Sequence, residues 1–382
     1  MSTEFLFKHD ALIFKKTLPH ATLYFHWFED AFARLNASVE PPQTHAELCR
    51  QRAQELRNTY SYLRLWFSGG ADSQTALDSF VNNNIHLDEI ILTTFPDNIN
   101  SATPASTSDR EIAIAAIPAL QQIKQKLALT KITILLPTAS DVGEWFNGAT
   151  DPDKISGFDT VDGNLAFSMD LGWALGTKLK DPGPVDFCDI IGGSKVKLWK
   201  NKNKWYFYFI DTSIHDAMFS SRTEDFFVSR NIPELYLKTV YMLRQFHINL
   251  NSTDLFVKDL PNTTALGKIY NAAMGRSSVH DIAAYKLYRD TYNQASWDKH
   301  LISGWSSTNF YKNVINSAEG QQWHKNYKTS MTAMIQEHSD EWNTDQFGNA
   351  VAVFGRKGHL SKFYCLNDSK TYTSQDAGWT DQ

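Results

Sequence analysis

The residues with the clearest chemistry stand in one unbroken run: Ser68, Gly69, Gly70, Ala71, Asp72 and Ser73. Two adjacent glycines let a backbone take positive φ and bring bare N–H groups close to a ligand. Successive N–H groups in such a turn form an anion-binding concavity. A helix that follows adds its unpaired first donors and partial positive charge. Ser68 and Ser73 bring hydroxyls to the same place. Asp72 conflicts with a bound phosphate unless a divalent cation lies between them. Mg2+ commonly takes one or two carboxylates together with substrate phosphates. Asp72 is therefore the candidate metal ligand, and the run as a whole is a candidate phosphate cradle.

Two elements must hold this run. Leu63, Leu65 and Phe67, with Trp66 among them, read as a short buried strand before it. Ala76, Leu77 and Phe80 recur at helical spacing after it. The run lacks the lysine and spacing of G-x-x-x-x-G-K-[ST], and it lacks G-x-G-x-x-G. It resembles instead the S-G-G-x-D-S pyrophosphate loop of the N-type ATP pyrophosphatases, the PP-loop superfamily. That superfamily includes asparagine synthetases, GMP and NAD synthetases, 7-cyano-7-deazaguanine synthases, tRNA thiolases and PAPS reductases. Ser68, Gly69, Gly70, Asp72 and Ser73 meet every fixed position of the motif, and the resemblance spans about Leu63 to Lys195.

The resemblance implies an α/β fold, a doubly wound, mainly parallel sheet of HUP or Rossmann-like type. It implies ATP and Mg2+ as cofactors, with Ala71 also in the loop that meets the nucleotide. Adenine is expected at the end of the second strand, at Thr93, with Phe95 packing on the ring. It also implies a second wall after the fourth strand, which here is Gly192, Gly193, Ser194 and Lys195. Asparagine synthetases carry acidic residues in that wall and this chain has none. Lys195 then reads in two ways, as a catalytic cation facing the departing pyrophosphate or as an exposed turn lysine. The implied reaction is AMP-forming: a carboxyl, amide or carbonyl oxygen of a small-molecule substrate is adenylated, and a nitrogen nucleophile displaces AMP. A nucleobase-modifying relative and a non-catalytic nucleotide sensor are the alternatives.

The rest of the chain sets the frame. Its 382 residues, 42% of them hydrophobic and 13% aromatic, predict two domains or one domain with large additions. The division read from the pattern is a β-containing prefix at 1–60, the PP-loop domain at 61–212 and a mostly helical region at 213–382. The prefix has extended segments near Phe5–Thr17 and Ala21–Phe28, then a helix through Ala46–Leu56. Strands are expected at Asp88–Phe95, Ile132–Leu136 and Phe187–Ile191. Helices are expected from Ser108 or Asp109 to about Leu127, where Pro118 threatens a kink, and around Phe167–Leu179. Strands alternating with helices argue for parallel βαβ units. Ligands in such sheets sit beyond the carboxyl ends of the strands, where the strand order reverses.

Beyond Lys195 the pattern changes. Lys197–Lys200 and Trp205–Ile210 flank Asn201, Lys202 and Asn203, a β-hairpin signal. Its lysines and aromatics read either as a nucleic-acid surface or as a solvated edge protected by charge. Pro233 opens a helix through His247, and further helices are expected near Ala283–Asp290 and Gln321–Gln336. A last hairpin is expected between Val351–Phe354 and Lys362–Leu366. Asp211, His215 and Asp216 are a second candidate metal or base cluster, or a helix cap. Cys49, Cys188 and Cys365 lie far apart, which predicts a reducing compartment rather than a disulfide framework. The expectation is a cytoplasmic protein, with no apolar run long enough to span a bilayer and no signal-peptide layout at its start. A homo-oligomer fits this reading. The formal net charge of -5 gives no general footprint for nucleic acid.

Overall fold

The computed structural model describes residues 2–5, 22–25, 29–94, 112, 116–136, 138–141, 143, 185–192, 196–209, 223–252, 313–314, 316–323, 325–326, 361–373 and 375–378. Two short strands, β1 (Ser2–Phe5) and β2 (Thr22–Phe25), pair in parallel. A single-turn helix, α1 (Glu29–Phe32), precedes α2 (His45–Thr59). The start of α2 is fixed locally. Thr44 is the N-cap and its hydroxyl accepts from the Glu47 N–H at 3.2 Å, while Glu47 accepts from the Thr44 N–H at 2.8 Å.

The central layer follows. Strand β3 (Tyr62–Trp66) leads into α3 (Ala71–Val81), then β4 (Glu89–Thr93), α4 (Ile117–Gln122) and β5 (Lys131–Leu135). Strand β6 (Phe187–Ile191) and β9 (Thr223–Asp225) complete a five-stranded sheet ordered β5-β4-β3-β6-β9, every adjacent pair parallel. This is an α/β fold. Pro118 lies in the first turn of α4, and most of the expected helix before it lies outside the described residues. The sheet also takes β9 from beyond residue 212, a strand the apolar pattern did not signal because it reads Thr-Glu-Asp.

One face of the sheet is apolar. Leu63, Leu65 and Phe67 of β3 and its continuation join Ile90, Leu92, Cys188 and Ile190. Leu48, Ala53 and Leu56 of α2 and Ala76, Leu77 and Phe80 of α3 close over them. Burying one such side chain contributes roughly 1.5–3 kcal/mol, so this core fixes the layer. The guanidinium of Arg52, 1% exposed, is also inside. It pairs with Glu55 and Glu224 and donates to the Asp225 carbonyl at 2.9 Å, tying α2 to β9.

A second sheet holds the lysine hairpin. Strands β7 (Lys197–Asn201) and β8 (Lys204–Tyr208) pair antiparallel through Lys202, at φ 52, and Asn203. Strand β10 (Phe363–Cys365) adds to β8, and β11 (Thr371–Tyr372) adds to β10. Strand β10 thus turns back to β11 through residues 366–370, and Val351–Phe354 lies outside the described residues. Helix α5 (Pro233–Ser252) covers this sheet with Tyr236, Leu237 and Val240. Phe207 stacks on Tyr364 at 4.8 Å and Phe209 meets Tyr236 at 4.7 Å.

Candidate nucleotide site

Strand order reverses between β3 and β6: from β3 the chain steps outward to β4 and β5, then returns to the other side at β6 and β9. Ser68–Ser73 leaves the carboxyl end of β3, and Gly192 directly follows β6. The sequence therefore delivers both walls of its candidate site to the one crevice where such sheets bind ligands.

The two walls touch. A Cβ added at Gly192 would lie 3.2 Å from the Asp72 carbonyl carbon and oxygen and 3.3 Å from the Ser73 nitrogen. Gly69 is constrained twice, by φ of 80 and by the backbone of Ala116, the N-cap of α4, whose nitrogen is 2.5 Å from a Cβ placed there. Only glycine fits that conformation and that gap. Gly70 is the N-cap of α3 and has no side chain to occupy the first N–H groups of the helix. Those first donors have no acceptor within the helix.

The two serines brace the loop. Ser68 Oγ accepts from the Gly70 N–H at 3.1 Å, and Ser73 Oγ donates to the Gly70 carbonyl at 3.1 Å. The Ser68 N–H donates to Ser73 Oγ at 3.3 Å, and the two hydroxyls are 3.2 Å apart. In this geometry the two hydroxyls hold the turn's shape. Asp72 lies in the first helical turn and is partly exposed. Among the described residues no three His, Cys, Asp or Glu side chains cluster as a preformed metal site. A cation at Asp72 would complete its shell with phosphate oxygens and water.

Thr93 ends β4. The register Trp66↔Ile91 puts Thr93 level with Ser68, and its Oγ1 is buried without a hydrogen-bond partner among the described residues. Buried hydroxyls are normally paired, so this one fits a ligand or water at the strand end. Phe95, Gly193 and Lys195 lie outside the described residues, as do Asp211, His215 and Asp216.

Sequence reasoning missed the layer beneath the loops. Arg64 donates to both oxygens of Asp189, from Nε at 2.8 Å and from Nη2 at 2.7 Å. Trp66 Nε1 donates to the same carboxylate at 3.0 Å, and the guanidinium lies over the Phe187 ring. Beside them Glu89 pairs with Lys131 at 2.7 Å and accepts from Tyr62 and Thr133. Burial pushes the Glu89 carboxyl up, but the hydrogen bonds from Lys131 and Thr133 outweigh it and hold the group below its ordinary value. One signal was available: Arg64 stands four residues before Ser68 and Asp189 three before Gly192, opposite charges in two strands expected to be neighbours.

Other candidates resolve into structure. Cys188 is fully buried in β6, where burial pushes its thiol well above the ordinary range, as expected for a small apolar core residue. The other two cysteines are buried and unbridged as well. Lys204 is held by Asp368 at 2.8 Å and Tyr372 at 3.2 Å, and Lys200 sits over the Trp205 ring at 5.2 Å. Among the described residues no helix is long and apolar enough to cross a membrane. No family model, curated protein or solved structure matches the chain.

Proposed function

We propose that this chain is an AMP-forming ATP pyrophosphatase of the PP-loop type, with a Rossmann-like core. The observation that carries this reading is the apposition of Gly192 to the backbone of Asp72 and Ser73 at the switch in strand order. A structural turn has no need to bring a second glycine from a strand more than a hundred residues away against its first helical turn. A phosphate site whose two backbone loops must pack closely at the strand ends does.

In this reading the N–H groups at the start of α3 would receive the phosphates, and Asp72 would hold Mg2+ there. A Mg2+ held by Asp72 would supply positive charge against the phosphates. The Thr93 hydroxyl is assigned to the adenine or ribose, with Phe95, two residues on, to pack on the base. A substrate oxygen attacks the α-phosphorus, the bond to the β-phosphate oxygen breaks, and pyrophosphate leaves with that electron pair. A nitrogen nucleophile then displaces AMP. Lys195, three residues after Gly192, is assigned the charge facing the leaving group. The protein's share of catalysis is positioning and charge stabilisation. The internal partners of Lys200 and Lys204 weaken the case for a nucleic-acid surface on the hairpin.

ATP labelled at the α-phosphate tests this. With mixtures of carboxylic and amide acceptors plus ammonium, the expected products are labelled AMP and free pyrophosphate in equal amounts. Release of labelled ADP, or tight binding with no turnover across all acceptors, would overturn the enzymatic reading.

A further inference from the structure

We propose that Arg64, Asp189 and Trp66 are positioning residues that set the register of β3 against β6 and thereby the spacing of the two nucleotide-facing loops. This rests on the nucleotide-site reading above. The two strands are joined only through a long connection, Arg64 and Asp189 being 125 residues apart, so chain linkage does not define how they align.

Their apolar face defines it only in part. A one-residue slip turns every side chain to the opposite face and is excluded by the core. A two-residue slide keeps Leu63 and Leu65 on their own face, opposite residues of the same β6 row. The polar face does discriminate. In the observed register Arg64 stands opposite Asp189. Slid by two, it would stand opposite Phe187 or Ile191, and a buried guanidinium and carboxylate would each lose its partner. Their side chains are 5% and 7% exposed. The fork is bidentate, which fixes angle as well as distance, and Trp66 adds a diagonal bond to the same carboxylate from the last residue of β3. A two-residue slide moves one strand end by about 6.6 Å at roughly 3.3 Å per residue, which would carry Gly192 off the Asp72–Ser73 backbone. Register specification is the best-attested use of a buried ion pair.

The test separates register from bulk stability. In Arg64→Met/Asp189→Leu the charges are replaced by apolar groups, a change that often leaves stability unaltered. The expected result is a thermal midpoint close to wild type, with backbone amide exchange over Ser68–Ser73 about tenfold faster. Mg-ATP affinity should fall with it. Arg64→Lys, which keeps charge but not the fork, is expected not to restore slow exchange. Should the double variant fail to fold, Trp66→Phe removes only the indole donor, and the expected change is a few-fold in the same direction. Wild-type exchange over the loop in a folded double variant, or in Trp66→Phe, overturns the proposal. If wild-type protein does not bind Mg-ATP, the nucleotide reading fails while the exchange comparison still decides the register role.

Discussion

At the residue scale the site rests on two glycines that do different work. Gly69 combines left-handed φ with a gap filled by the Ala116 backbone. Gly69→Ala should therefore strain the fold itself, lowering unfolding free energy in urea by about 1–3 kcal/mol. Gly192 has no such constraint on φ, and an added methyl meets the Asp72 and Ser73 backbone at 3.2–3.3 Å, a distance a small shift relieves. Gly192→Ala should leave stability near wild type but lower Mg-ATP affinity about tenfold, or 1.4 kcal/mol. Equal affinity in calorimetry would mean that the packing of Gly192 on the loop does not shape the ATP site. Gly69 was legible because a glycine pair between a strand and a helix has few uses, and Gly192 because a glycine pair directly follows the fourth strand. Their neighbours were not: Ala116 reaches Gly69 by tertiary packing alone.

At the element scale α2 carries a buried titrating group that dictates acid behaviour. His45 is 3% exposed, packs along the ring of Phe227 and approaches Cys49 Sγ at 3.6 Å. Burial, and then the charge of Lys238, lower its imidazole from 6.5 to about 4. The unfolded chain takes up this proton as pH falls through 6.5, while the folded chain stays neutral until about 4. Stability is thus fully present above pH 6.5 and is lost between 6.5 and 4, by about 3 kcal/mol. His45→Gln should flatten this part of the curve, seen as a smaller drop in urea midpoint from pH 7 to pH 4.5. Parallel curves for the two proteins would show that another group governs the acid limb. Helix α2 was legible as a helix through Ala46–Leu56, though not its Thr44–Glu47 cap, and β3, β4, β5 and β6 through short apolar runs bounded by turn residues. Strand β9 was not, because Thr223, Glu224 and Asp225 owe their place to β6, to Arg52 and to the following Phe226 and Phe227. The polar layer of Arg64, Asp189 and Glu89 was harder to read for a related reason: each charge is satisfied by a residue distant in sequence, and only the opposite charges of two neighbouring strands hinted at it.

At the scale of the whole molecule, the last strands close a sheet begun some 160 residues earlier. Phe363 and Tyr364 are buried against Tyr206, Tyr208 and Phe207. Trp199 and Asn201 both donate to the Ala377 carbonyl at 3.0 Å. Removing residues 361–382 would expose two large aromatic side chains and their partners, a loss on the order of 3–6 kcal/mol. That is comparable with the whole stability of a typical domain, about 5–15 kcal/mol. The truncated chain should melt far below the full one or aggregate, as circular dichroism would report. An unchanged melting curve would mean that the β10–β11 hairpin is dispensable. This sheet was half legible: the Lys197–Tyr208 hairpin follows from its turn, but the register of β10 on β8 is set by aromatic packing.

The measurement that bears most directly on the proposed activity is calorimetric titration of ATP into the wild-type protein and Asp72→Asn, each with and without Mg2+. Asp72 sits in the first turn of α3 with its backbone beneath Gly192, and replacing its carboxylate by an amide changes charge without changing shape. Wild-type protein should bind ATP more tightly with Mg2+ than without, and Asp72→Asn should lose that difference while remaining folded. Identical magnesium dependence in the two proteins, or no binding of ATP to the wild type under either condition, would contradict an ATP site built on this loop.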